Sequence, residues 1–93
     1  MKITRVYFAT EEIEGKINRR GINLNDICDV FRQRPVIHVD GRDRFGNKKY
    51  FAWGQTREGR YLFIVFVPER PSDGRIISAR DMTAREKKRH IRS

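Results

Sequence analysis

The chain has 93 residues and a mass of 11.1 kDa, enough for one core and not two. It is 38% hydrophobic and 35% charged, and 21 Lys and Arg against 12 Asp and Glu leave a formal charge of +9. These figures exclude a membrane helix of ~20 apolar residues, an internal disulfide or zinc cluster around the single Cys28, and, with 11% aromatics, a disordered basic tail.

Residues 3–9 (ITRVYFA) are β-branched and aromatic and read as a strand. Thr10 is placed to N-cap a helix whose first turn holds Glu11, Glu12 and Glu14, which suit the positive end of the helix dipole. Ile13 and Ile17 share a face, and Gly21 ends the helix just after Arg20. Leu24, Ile27, Cys28, Val30 and Phe31 recur at helical spacing, and Arg34-Pro35 stops this second helix. Four strand-like segments follow, at residues 36–39, 48–56, 60–67 and 75–80. Loops at 40–47 and 68–74 and a tight turn at 57–59 separate them. Thr83 and Glu86 have capping-box spacing and open a short basic helix. The order β-α-α-β-β-β-β-α, with no helical crossover after residue 34, predicts an α+β domain spanning 1–93 with an antiparallel sheet.

Pairing Thr56 with Arg60 and Val67 with Arg75 gives a register. It predicts one sheet face of Phe51, Trp53, Phe63, Val65, Ile77 and Ala79, taken as the core beneath the helices. The other face carries Tyr50, Ala52, Leu62, Ile64, Phe66, Ile76 and Ser78, with Arg60 and Arg80 together at one end. Lys49 then lies on the face opposite those arginines, unless the register slips by one, a bulge intervenes or Lys48 takes its role. A strand apolar on both sides, YLFIVFV, expects cover on both. An incompletely covered apolar face beside arginines is a binding surface.

Arginine outnumbers lysine 15 to 6, and the segment 75–93 carries seven cations against Asp81 and Glu86. The planar guanidinium grips phosphate by two bonds at once. The pattern favours nucleic acid or an acidic protein as partner over a merely solvated basic surface. No signal-peptide pattern opens the chain, so a cytoplasmic protein is expected.

Residues 75–90, RIISARDMTAREKKRH, resemble the C-terminal signature of the BrnT family of bacterial toxins. RGINLNDICDVF resembles that family's helix–helix junction, and KKYFAWGQTREGRYLFIVF its central hairpin. The resemblance covers residues 8–90. It implies membership of the RelE/ParE-like toxin superfamily and a RelE-like fold. It implies a metal-independent endoribonuclease that inhibits translation, with RNA as substrate and no cofactor. It implies a cognate BrnA-type ribbon-helix-helix antitoxin, through which alone DNA would be met, as the complex represses its own operon. By motif position the family's basic active-site residues fall on Lys49, Arg60 and Arg80, with Arg75 beside them. Lys48, Arg75, Tyr50, Arg85 and Lys88 are the expected RNA contacts. The chain departs from the family at Phe8-Ala9-Thr10, where an aromatic-Trp-Asp stretch is usual, at Lys16 and Arg20 in the first helix, and at Gln55 after the hairpin glycine.

Metal-free RNA cleavage uses the ribose 2′-OH as nucleophile. It needs cations on the phosphorane oxygens, a base and an acid. Arginine serves only as the cation, and Lys49 as base or acid only with a lowered pKa. His38 and His90 match no family position and read as structural. Trp53, sharing parity with Phe51, reads as core. The competing readings are a non-enzymatic binding module of the same fold and a gyrase-poisoning ParE-like toxin.

Overall fold

In the computed structural model, which describes residues 1–92, the chain runs β1 (Arg5–Phe8), α1 (Glu11–Arg19), α2 (Leu24–Arg32), β2 (Val36–Arg42), β3 (Lys48–Gln55), β4 (Tyr61–Glu69), β5 (Asp73–Asp81) and α3 (Ala84–Arg92). The α+β class and the element order are those read from the sequence. The expected cap at Thr10 is formed, and Asn23 adds one that was not expected. Thr10 Oγ1 accepts from Ile13 N at 3.1 Å. Asn23 and Asp26 exchange bonds at 2.9 and 3.0 Å in a full capping box. Gly21 joins α1 to α2 at φ 75, a backbone state only glycine adopts freely.

The sheet order is β1-β5-β4-β3-β2. All pairings are antiparallel except β1 with β5, which is parallel. The antiparallel expectation is corrected at this one edge. The two helices carry the chain away from β1 before the meander begins, so β1 can lie along β5 in the same direction. β2 also runs further than expected, to Arg42, through an irregularity between Val39 and Gly41.

The helices cover Ala52, Leu62, Ile64, Phe66, Ile76 and Ala79, all at 0% exposure, together with Ile17, Ile22, Ile27 and Val30. The sequence reading had the faces reversed. The reason is visible at Gly54, where a Cβ would meet Val30 Cγ1 at 2.8 Å and Pro35 Cβ at 3.2 Å. Small residues at Ala52 and Gly54 let α2 approach β3 closely. The bulkier Phe51, Trp53 and Phe63 face the other way.

The β3–β4 register is as expected, Tyr50 opposite Phe66. Val67 pairs with Arg75 and Phe66 with Ile76, also as expected, but a bulge then shifts the β4–β5 ladder by one. Leu62 lies opposite Asp81, not Arg80, and Phe63 lies opposite Arg80. A bulge of one residue reverses which face each later side chain takes. Ala79 thereby joins the core, and Arg80 turns to the face away from α1 and α2.

Candidate active site

Three rows of paired residues cross that open face. The first aligns Gly41 with Lys49 and, across Val67, Arg75 and Tyr7. The second runs His38, Phe51, Val65, Ser78. The third runs Val36, Trp53, Phe63, Arg80. Rows two residues apart are about 6.5 Å apart along the strands, and Lys49 and Arg75 sit two strands, or about 10 Å, from each other. Lys49 and Arg80 therefore share a face, a correction of the expected register.

Each cation is held by a carboxylate. Lys49 Nζ is 3.2 Å from Asp40 Oδ2. Arg75 Nε lies 3.3 Å from Glu69 Oε2, with Nη2 3.8 Å from Asp43 Oδ2. That buried Arg75 Nε–H makes no hydrogen bond among the described residues, so the pairing is electrostatic and poorly directed. Arg80 is gripped best. Its Nη1 and Nη2 donate to the two Glu86 oxygens at 2.7 and 2.9 Å, and its guanidinium lies 4.5 Å over the Phe63 ring. The bond from Arg80, with that from Thr83 N at 2.8 Å, outweighs burial and pulls the Glu86 carboxyl from 4.5 down to about 2. Arg80 is pushed up in turn, chiefly by the Glu86 bond.

Arg60 stands elsewhere. It donates to Asp81 at 2.6 and 2.9 Å and to the carbonyls of Gly21 and Arg20 at 2.7 and 2.9 Å. The Asp81 bond raises Arg60 and lowers Asp81. The expected Arg60–Arg80 pair is not formed, because the bulge puts them on opposite sides. Tyr50 stacks on Phe66 at 5.9 Å and packs against the core. Lys48, one residue before Lys49, lies on Tyr50's side of the strand and is exposed.

Helix α3 crosses the open face without burying a residue of its own. Lys87 lies 4.9 Å over the Tyr61 ring, and the His90 and Tyr61 rings are 6.0 Å apart. Arg85, Glu86, Arg89 and His90 roof a cavity of about 390 Å³ whose floor is Val36, His38, Phe51 and Trp53. Lys88 is exposed and takes no part in this lining. Sequence reasoning did not find this cavity. Its signal was the alternation of Val36 and His38 in β2 and the i, i+4 spacing of Arg85 and Arg89 in α3. Among the described residues no three His, Cys, Asp or Glu cluster as a metal site would, and no helix is long and apolar enough to cross a membrane.

A family model described as the ribonuclease toxin BrnT of type II toxin-antitoxin systems matches residues 9–86. The chain belongs to the BrnT toxin family. Membership brings a ribonuclease activity, an RNA substrate and an antitoxin partner. The three cations of the open face lie within the matched BrnT region, as do Arg60 and Arg85. Lys88, Arg89 and His90 lie beyond it. No curated protein matches the chain.

Proposed function

We propose that the open face of the sheet is the ribonuclease surface and that Lys49, Arg75 and Arg80 carry it. The observation behind this reading is the β4–β5 bulge, which turns Arg80 onto the face of Lys49 and Arg75. An RNA phosphate takes the place of the resting carboxylates, Glu86 first. The 2′-oxygen then bonds to phosphorus as a water molecule takes its proton, and the bond to the 5′-oxygen breaks as water protonates the departing oxygen. The products are a 2′,3′-cyclic phosphate and a free 5′-hydroxyl, so the reaction needs no metal. Arg80 and Arg75 neutralise the charge that grows on the non-bridging oxygens, where preorganised cations act most strongly. Lys49, the amine of this face, adds a third cation beside the departing 5′-oxygen. Arg60 has a positioning role, tying the α1–α2 junction to the end of β5.

Residues 1–93 act in this reading as one RelE-like toxin domain in the cytoplasm, where cleavage stops translation. The partner is a BrnA-type ribbon-helix-helix antitoxin whose acidic groups meet the cationic face, and DNA is contacted only through it. Inducible expression in bacteria tests the activity. Wild type should arrest growth and degrade RNA, and Arg80→Ala, expressed soluble and folded, should do neither. Normal growth with intact RNA at confirmed soluble expression would overturn the reading.

A further inference from the structure

The cavity under α3 shares Glu86 with the chemistry just described and otherwise lies outside it. Its floor is aromatic, with Phe51 and Trp53 edge-to-face at 6.3 Å and Trp53 tilted on Phe63 at 4.3 Å. Its roof supplies the exposed guanidiniums of Arg85 and Arg89. Glu86, the one carboxylate in the lining, is paired with Arg80 at rest, and Arg85 and Arg89 outnumber it once phosphate takes its place. A volume of about 390 Å³ falls at the lower end of small-molecule sites. An aromatic floor beneath paired cations fits one ligand chemistry well, an aromatic ring joined to a phosphate.

We infer that this cavity receives one unstacked nucleobase of the single-stranded RNA substrate, with the base stacked on Trp53, the perpendicular Phe51 ring at its edge, and its phosphate on Arg85 and Arg89. The inference deepens the proposed ribonuclease reading and rests on it. Trp53 and Arg80 stand in one row of the sheet with Phe63 between them. A base seated on Trp53 therefore brings its neighbouring phosphate toward Arg80. The pocket sets which nucleotide lies beside the scissile bond.

Trp53 is the single tryptophan, so its fluorescence reports the cavity directly. The probe is a 2′-O-methyl hexaribonucleotide, which lacks the nucleophile and cannot be cut. The control is the same backbone without bases. The base-bearing oligomer should quench Trp53 saturably, and the abasic one should not. Arg89→Ala, a change on the exposed helix surface, should weaken the quenching isotherm about tenfold. Trp53→Phe, followed by anisotropy of a labelled oligomer, should retain binding, whereas Trp53→Ala should lose about tenfold. Cleavage of unmodified RNA is measured in parallel. Cleavage with no Trp53 response, or equal quenching by the abasic oligomer, would overturn the base pocket and leave the nuclease standing. A base-dependent response without cleavage would support the pocket and remove the nuclease. A Trp53 response to purified antitoxin but not to RNA would overturn the inference in favour of a protein side chain in the cavity.

Discussion

Glu86 holds both terminal nitrogens of Arg80, at 2.7 and 2.9 Å, so the first turn of α3 occupies the phosphate-binding edge of the best-placed arginine on the open face. The same carboxylate accepts from Thr83 N, and Thr83 Oγ1 accepts from Glu86 N at 3.1 Å. One residue therefore caps the helix, fastens it to β5 and occupies the arginine at rest. The Arg80 side chain is 36% exposed, so the pair is partly screened by water and a phosphate can compete for it.

Removing the competitor should favour RNA. Glu86→Gln keeps the side-chain length and withdraws the charge. An ion pair this exposed contributes up to about 1 kcal/mol. RNA affinity, measured by anisotropy with a non-cleavable oligomer, should rise about two- to fivefold. Unchanged or weaker affinity in the folded variant would mean that Glu86 does not compete with phosphate.

Acid should loosen α3. The Glu86 carboxyl sits at about 2 when folded against an ordinary value of 4.5. A lowered folded pKa stabilises fully above the unfolded value and fades as pH falls toward the folded one. The helix should therefore be held most firmly above pH 4.5 and loosen between there and about pH 2. Trp53 emission should shift over that window in wild type. The Arg60–Asp81 pair is weakened by acid too, so the difference from Glu86→Gln isolates the α3 component.

Arg60 should matter to stability before chemistry. Its bonds to Asp81 and to the carbonyls of Arg20 and Gly21 link three segments distant in sequence. Discounted for its partial exposure, Arg60→Ala should cost about 1–2 kcal/mol in urea denaturation. Cleavage per folded molecule should stay within about threefold of wild type, the range of a change that touches no reacting charge. A fall of two orders of magnitude in a protein of undiminished stability would return Arg60 to the catalytic set.

The close approach of α2 to β3 is directly testable. Gly54→Ala puts a methyl 2.8 Å from Val30 Cγ1. Val30 is fully buried and cannot swing aside. Overpacking of this kind costs about 1–3 kcal/mol, and the melting temperature should fall accordingly.

The elements were legible because local chemistry set them. Thr10, Asn23 and Thr83 cap the helices they precede, and the turn at Arg57-Glu58-Gly59 set the β3–β4 register correctly. The faces were not legible from hydrophobicity, because β4 is apolar on both sides. Residue size held the answer, since Ala52 and Gly54 mark where a helix comes close. The Arg80 placement was lost to the bulge at Ile77, which has no proline or glycine to announce it. That single inserted residue separated Arg80 from Arg60 and joined it to Lys49. Trp53 and His38 read as structural because the cavity they line is completed by α3, and periodicity within a strand says nothing of a helix that lies across it. The β1–β5 parallel pair was out of reach for a similar reason, as it joins the first and last strands of the chain through no local turn.

The face assignment is tested most directly by comparing adjacent lysines in one cleavage assay with chelator present. Lys49 lies on the open face with Arg75 and Arg80, and Lys48 lies on Tyr50's side of the strand. Lys49→Ala, Arg75→Ala and Arg80→Ala should each lower the rate of RNA cleavage by about a hundredfold or more, and Lys48→Ala should leave it within about threefold. Loss of cleavage in Lys48→Ala with full activity in Lys49→Ala would contradict the open face as the ribonuclease surface.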